Sequence, residues 1–212
     1  MAQDANPVGA RHVASLAHPS GNITGLSLMS PEITGKRLEI LKDTVPGLIR
    51  VAVLTAERNT TDSETARELQ GAAKALDVKL QILQGRNPKE IDAALSKMTT
   101  ERVGAFVVIT NPVLSENRER ILNFAVKNRL PATYPNESWV ESGGLMAYGT
   151  NLADLWRRAA TFVDKILRGA KPADLPVEQP LKFDLLINLK AAKQIGLTIP
   201  PNVLARADKV IR

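Results

Sequence analysis

Hydrophobic patterns typical of strands and of helices alternate through residues 23–148, and this alternation restricts the fold more than any other feature. Strand-like runs lie at residues 23–28, 50–54, 79–83, 105–109, 132–134 and 145–148. Helix-like runs lie between them, at residues 31–44, 62–76, 88–99, 115–128 and 137–142. Because neighbouring parallel strands need a crossover helix, the pattern predicts an α/β fold, a parallel sheet of five or six strands with helices on both faces.

A second region follows the alternating part and has a different organisation. Asn151 can cap a helix that ends at Gly169, and residues 170–180 form a Pro-containing loop. A strand pattern at residues 183–189 and a short helix at 189–195 come next, and Pro200-Pro201 begins a last short helix. A chain that runs from strand to helix to loop and back to strand is typical of one that leaves one sheet and joins another.

Composition and charge exclude several classes of function. The chain of 212 residues has no cysteine, so disulfides, thiolate catalysis and zinc–thiolate sites are excluded. Its net charge is +6, but the longest runs of like charge are the pairs Lys36-Arg37 and Arg157-Arg158. No basic cluster is interleaved with aromatic residues, so we predict no nucleic-acid partner.

Motifs for catalysis and for cofactors are also missing from the sequence. It contains no G-x-S-x-G, no G-x-x-x-x-G-K-[ST] and no G-x-G-x-x-G. The two histidines, His12 and His18, have no acidic residue at a spacing that suits a metal. We therefore predict that the protein is not an enzyme and that it carries no catalytic residue, cofactor or metal.

Polar loops that follow three of the predicted strands are the candidate ligand site. The loop after residues 50–54 carries Asn59, Thr60, Thr61 and Ser63 at the start of a helix, where free N–H groups and hydroxyls can bind a carboxylate. Thr61 or Asp62 can equally be no more than the cap of that helix. The carboxyl ends of parallel strands share one edge of the sheet, which is where ligands bind in open α/β folds.

Two further loops at that edge extend the predicted site. Asn111 follows the strand at 105–109, and Glu137 follows the strand at 132–134. Tyr134 would form an aromatic wall of the pocket. Each loop taken alone is also explained as a turn or a cap, and their common edge is what favours a ligand site.

Motifs spread over nearly the whole chain resemble those of a known family. They are Asn6-Pro7-Val8-Gly9, residues 19–26 (PSGNITGL), 35–42 (GKRLEILK), 50–54 (RVAVL), 129–131 (RLP), 143–146 (GGLM), 164–167 (DKIL), 176–180 (PVEQP) and 197–201 (LTIPP). In this order they resemble the tryptophan/tyrosine-type family of bacterial ABC-transporter substrate-binding proteins. The resemblance implies a type I periplasmic-binding-protein fold, in which two α/β lobes close on a small ligand and deliver it to an ABC permease.

Further expectations come from the same resemblance. It implies an amino acid or a related carboxylate as the ligand, a periplasmic location in the family, and Asn6 as a further ligand contact. The motif that contains Asn6 would stand near the end of the first half of lobe one, yet here it follows Met1 closely. We therefore predict that the chain is truncated, that it has no signal peptide and that it is cytoplasmic in this form.

The predicted domains follow from that alignment with the family. They are a remnant of lobe one with the first hinge crossing (1–24), a complete Rossmann-like lobe two (25–148), and the return hinge with the C-terminal part of an incomplete lobe one (149–212). Residues 183–188 would then lack the strands that they should join. This predicts either a homodimer through residues 151–212 or a mobile C-terminal region.

Two functions remain open on the sequence. The first is the solute-binding component of an ABC importer. The alternative is a stand-alone α/β domain with an enzymatic or regulatory ligand-sensing role.

Overall fold

A computed structural model describes Asp4, residues 6–56 and residues 64–212, the side chains of residues 30–32 and 64 excepted. In chain order the elements are α1 (Ser30–Thr44), β1 (Arg50–Thr55), α2 (Glu64–Ala75), β2 (Lys79–Gln84), α3 (Pro88–Thr100), β3 (Ala105–Val108), α4 (Pro112–Glu116), α5 (Arg118–Lys127), β4 (Ala132–Tyr134), α6 (Glu137–Glu141), β5 (Met146–Thr150), α7 (Leu152–Leu167), a 3₁₀ turn (Pro172–Asp174), β6 (Phe183–Asn188), α8 (Leu189–Ile195), α9 (Pro201–Leu204) and β7 (Lys209–Ile211). Two compact units result. The smaller unit is Met1–Pro31 with Thr150–Phe183, and the larger unit is Glu32–Gly149 with Asp184–Arg212.

The larger unit is built on a seven-stranded sheet with the strand order β2-β1-β3-β4-β5-β6-β7. The pairs β1–β2, β1–β3, β3–β4, β4–β5 and β6–β7 are parallel. Next to the edge strand β2, Val53 of β1 pairs with Val107 of β3 on one side and with Ile82 of β2 on the other. The predicted parallel α/β sheet is confirmed, with seven strands in place of the five or six that were predicted.

Alternate residues of the central strands are buried in two opposite cores. Ala52 and Leu54 of β1 pack in one cluster with residues of α3 and α5, such as Ile91 and Ile121. Val51 and Val53 pack in another cluster with Leu38 of α1 and Leu69 of α2. Side chains of successive strand residues point to opposite faces, so these two clusters show that helices cover both faces of the sheet.

The C-terminal segment supplies two strands of this sheet. In the strand order β6 lies between β5 and β7, and the Asn188 N–H donates to the Leu145 carbonyl at 2.8 Å. Leu185 and Ile187 are buried against α8 and α9 and against Leu145. The prediction that residues 183–188 lack partner strands is therefore wrong, because β5 and β7, the latter not predicted, provide them.

This correction also removes the reason given for a homodimer and for a mobile C-terminal region. The units divide at 31/32, 149/150 and 183/184, whereas the predicted boundaries lay at 24/25 and 148/149. Residues 184–212 cluster with the complete sheet and not with residues 150–183. How these units correspond to the two lobes of full-length relatives stays a prediction.

Two predicted elements differ in their detail. Residues 23–28 contain only isolated bridges, Asp4↔Ser27 and Leu26↔Glu178, because their neighbours are short irregular segments and not a strand. The helix predicted at 115–128 begins earlier and divides at Asn117 into α4 and α5. There the side-chain amide of Asn117 donates to the Val113 carbonyl at 2.9 Å, which ends α4.

The smaller unit is organised around α7. Asn151 caps this helix, as predicted, by accepting a hydrogen bond from the Asp154 N–H at 2.8 Å. Leu155 and Phe162 pack against Leu26, and Arg158 pairs with Glu178. None of the helices in the described part of the chain is both long and apolar enough to span a bilayer.

Ile187 provides a test of the position of β6. Its side chain is fully buried in the cluster formed by β6, α8 and α9, so we expect Ile187→Ala to lower the free energy of unfolding by about 2–5 kcal/mol. Urea denaturation followed by circular dichroism measures this loss. The control is Leu181→Ala, which removes a side chain that is 78% exposed and should change stability by less than about 0.5 kcal/mol. Equal stability of the two variants would contradict the position of β6 in the core.

Candidate functional site

The order of the strands creates a topological switch point between β1 and β3. The chain continues from β1 to β2 on one side, and then returns to β3 on the other side of β1. Ligands of open α/β sheets bind at such a switch point. The loop that follows Thr55 contains the predicted contacts Asn59, Thr60, Thr61 and Ser63, which lie outside the described residues, so their role stays a prediction.

Asn111 follows β3 at the same switch point, and half of its amide group has a structural role. Its Oδ1 accepts a hydrogen bond from the Val113 N–H at 2.9 Å and caps α4. The Ser115 hydroxyl donates to the Asn111 carbonyl at 3.0 Å. No described residue accepts a hydrogen bond from Asn111 Nδ2, and the side chain is only half-buried. The cap therefore uses the oxygen and leaves the amide nitrogen to a ligand or to water.

Tyr134 lies in the core and not in the wall of a pocket. Its side chain is 1% exposed, and its ring stacks on that of Trp139 with a centroid distance of 5.2 Å. The ring of Phe106 meets it edge-on at 6.2 Å. Burial raises the pKa of the Tyr134 hydroxyl above its usual value. A ring enclosed in this way has no face to offer a ligand, because the helices on this side of the sheet cover it.

Glu137 is the first residue of α6 and forms an ion pair with the C-terminal strand. Its Oε1 lies 2.5 Å from Lys209 Nζ, and Glu141 lies 3.5 Å from the same nitrogen. These two carboxylates raise the pKa of Lys209. The side chain of Glu137 is 50% exposed, so the carboxylate both contacts β7 and remains accessible beside the carboxyl end of β4.

Asn6 stabilises a turn in the smaller unit. Its Oδ1 accepts a hydrogen bond from the Gly9 N–H at 2.9 Å, and its own N–H donates to Asp4 Oδ1 at 2.9 Å. A Cβ at position 9 would lie 2.4 Å from Asn6 Nδ2, so a larger residue there would have to displace the Asn6 side chain. Asn6 belongs to one unit whereas Asn111 and Glu137 belong to the other, and its place in a common site stays a prediction.

Arg37 was not predicted as a functional residue, although it is the most unusual polar group of the larger unit. Its side chain is 1% exposed in the middle of α1. Nε donates to the Tyr148 carbonyl at 2.6 Å, and Nη2 donates to the Pro135 carbonyl at 2.9 Å. Arg37 therefore bonds at the same time to the residue that follows β4 and to the middle residue of β5.

A sequence signal for the burial of Arg37 exists in α1. Thr34, Arg37, Leu38 and Leu41 recur at the spacing of one helix face, and all four are buried. An arginine on an otherwise apolar and small face indicates a buried guanidinium. Burial lowers the pKa of Arg37 to about 10, which leaves the group charged at neutral pH.

Metal chemistry has no support in the described part of the chain. No three His, Asp or Glu side chains there lie close enough together to hold an ion. Among the described residues, the polar groups at the carboxyl edge include the Asn111 amide, the accessible Glu137 carboxylate and the buried Arg37 guanidinium. Such groups can bind a small polar molecule by hydrogen bonds and charge.

The known proteins that this chain resembles include a family model and several solved structures. The sequence model of the family described as ABC transporter substrate binding protein matches residues 1–211. A domain from Streptococcus pneumoniae, solved in complex with L-Trp, is 27% identical with a TM-score of 0.90, and the match covers 100% of this chain and 70% of that one. A conserved domain protein from Vibrio cholerae is also 27% identical, with a TM-score of 0.85 over 96% of this chain and 68% of that one.

A curated relative supports the same assignment. The tyrosine-binding protein of Clostridioides difficile is 23% identical over 193 residues, which are 91% of this chain and 55% of the relative. The chain thus spans about half the length of the curated relative that it matches. Since the family model matches almost every residue, the chain belongs to the ABC transporter substrate-binding protein family, and its fold is that of the type I periplasmic binding proteins.

Proposed function

We propose that the chain binds a free amino acid at the carboxyl edge of its parallel sheet, as the solute-binding component of an ABC importer. The observation that carries the proposal is the family match over residues 1–211 together with the fold of the L-Trp-bound streptococcal domain. A second relative is named for tyrosine. An aromatic amino acid is therefore the ligand that we propose first.

The groups at the edge of the sheet suit an amino acid. The Nδ2 group of Asn111 can donate a hydrogen bond at the β1/β3 switch point, where the predicted polar loop also begins. A carboxylate is favoured at the start of α2, because the first N–H groups of a helix have no partner within it. The accessible Glu137 carboxylate is the group of opposite charge that an ammonium requires. Because Tyr134 is buried, the apolar wall for an aromatic side chain must come from other residues.

Partners and location follow from the family. Its members bind solutes, work with ABC permeases and act outside the cytoplasm. We propose the same permease-dependent delivery for this protein, and no catalysis. No observation on the described residues favours the alternative of an enzymatic or regulatory domain.

Thermal unfolding in the presence of ligands tests this proposal. A ligand that binds the folded chain at a hundred times its Kd stabilises it by about 2.7 kcal/mol, so we expect L-tryptophan or L-tyrosine to raise the Tm by roughly 5–10 °C. Calorimetry with ATP and with glucose provides the controls. A rise in Tm with ATP or glucose, together with no rise for any of the common amino acids, would contradict an amino-acid ligand.

Two substitutions of Asn111 separate its cap from its proposed ligand contact. Asn111→Asp retains the oxygen that accepts from the Val113 N–H but replaces the amide donor by a negative charge. We expect it to leave the Tm nearly unchanged and to weaken amino-acid binding by about 10- to 100-fold, since the donor is lost and the ligand carboxylate is repelled. Asn111→Ala should weaken binding and also lower the free energy of unfolding by about 1 kcal/mol. If titration calorimetry gives Asn111→Asp the same affinity as wild type, the ligand binds elsewhere.

A further inference from the structure

We propose that Arg37 is a positioning residue, which holds the β4–α6 loop and the end of β5 in the geometry that binds the ligand. The inference rests on the proposed function for the identity of the site. It begins from two hydrogen bonds. Nε and Nη2 of one guanidinium donate to the Tyr148 and Pro135 carbonyls at 2.6 and 2.9 Å, which are 111 and 98 residues away in the sequence.

The planar guanidinium imposes a fixed relation between these two carbonyls. Its N–H groups form a rigid fork, and charged donors make stronger hydrogen bonds than neutral ones. Pro135 follows the last residue of β4, and Tyr148 is the middle residue of β5, two residues before its end. The two bonds therefore set the spacing and the orientation of the start of the β4–α6 loop relative to the second half of β5.

Gly149 shows how tightly these segments approach each other. A Cβ at this position would lie 2.6 Å from the Pro135 carbonyl oxygen and 3.4 Å from Arg37 Nη2. Only glycine fits there without displacement of the main chain. Gly149 is also the residue at which the chain leaves the larger unit, since Thr150 belongs to the smaller one. Arg37 thus holds the segment of the larger unit that directly precedes the entry of the chain into the smaller unit.

The buried charge of Arg37 contributes little to stability. This favours a role for Arg37 in holding the two segments to which it bonds. Arg37 Nη1 is buried and has no hydrogen-bond partner among the described residues, and no described carboxylate pairs with the guanidinium. Burial of a charge without an opposite charge opposes folding, and apolar replacements of buried ionic groups are often neutral or stabilising. What an apolar residue could not supply is the pair of bonds to Pro135 and Tyr148.

The segment held in this way carries polar groups of the candidate site. Directly after Pro135 come Asn136, whose Oδ1 accepts from the Ser138 hydroxyl at 2.7 Å, and Glu137, whose carboxylate is half exposed. A loop that already has its bound geometry loses less conformational freedom when a ligand binds. Arg37 therefore acts on affinity through the loop and not by contact with the ligand.

The test compares Arg37→Met and Arg37→Lys with Leu38→Ala, a neighbouring substitution in α1 that empties part of the core without touching either carbonyl. Titration calorimetry measures Kd for L-tryptophan and for L-tryptophan amide, at a temperature at which all variants are folded. We expect Arg37→Met to weaken the binding of both compounds by the same factor, at least tenfold. Arg37→Lys, which keeps a charged donor, should recover part of the affinity, and Leu38→Ala should lower the Tm without a change in Kd.

Two results would overturn the proposal. The first is unchanged affinity in Arg37→Met. The second is a loss confined to the free acid, which would mean that the guanidinium contacts the ligand carboxylate directly.

Amide hydrogen exchange of residues 136–137 and 148–150 keeps the inference separate from the proposed function. Exchange there should be at least tenfold faster in Arg37→Met than in wild type and unchanged in Leu38→Ala, whether or not tryptophan binds. Equal exchange in Arg37→Met and wild type would contradict the positioning role, whereas the absence of any amino-acid binding by wild type would contradict only the ligand.

Discussion

The burial of the parallel sheet on both faces is the constraint on which the rest of the larger unit depends. Alternate side chains of β1 enter two separate cores, so that helices must cover each face. With both faces covered, only the ends of the strands remain open to a ligand. Polar groups can therefore vary in the connections at the strand ends without loss of the core, and ligands of open α/β sheets bind at the carboxyl ends. The position of the candidate site is thus a consequence of how the strands are buried.

Stability and geometry have different sources in this unit. The apolar clusters around β1, β3 and β6 provide the burial of apolar surface that drives folding. Arg37 contributes little of that kind, because its charge is buried without a carboxylate partner among the described residues. Its two hydrogen bonds instead link the residue that follows β4 to the main chain of β5. A single polar group inside an apolar unit can in this way specify a local arrangement that packing leaves open.

Many polar side chains at the edge of the sheet also serve the fold. The Asn111 oxygen caps α4, and Glu137 forms an ion pair with Lys209 of β7. Amide and carboxylate groups suit caps and ion pairs for the same reason that they suit amino-acid ligands, since they offer strong acceptors and donors. Local geometry therefore does not separate the two roles, and the family match supplies the information about function that the geometry lacks.

The sequence by itself determined the types of nearly all the elements in the larger unit and the parallel arrangement of its strands. The periods of two and of 3.6 residues are local properties, and α3, β2 and β4 lie within one residue of their predicted bounds. The placement of Asn111 after β3 and of Glu137 after β4 followed from the same patterns. The motifs spread along the chain also identified the family.

Only the tertiary structure decided which surfaces meet. It placed β6 beside β5, buried Tyr134 against Trp139 and Phe106, left residues 23–28 without a regular strand, and brought Arg37 to the carbonyls of Pro135 and Tyr148. These outcomes involve residues that are far apart in the chain, such as Arg37 and Tyr148. Periodicity states that a side chain or a strand edge needs a partner, but the identity of the partner depends on the shape and the free hydrogen-bonding groups of distant segments, which exist only when the chain has folded.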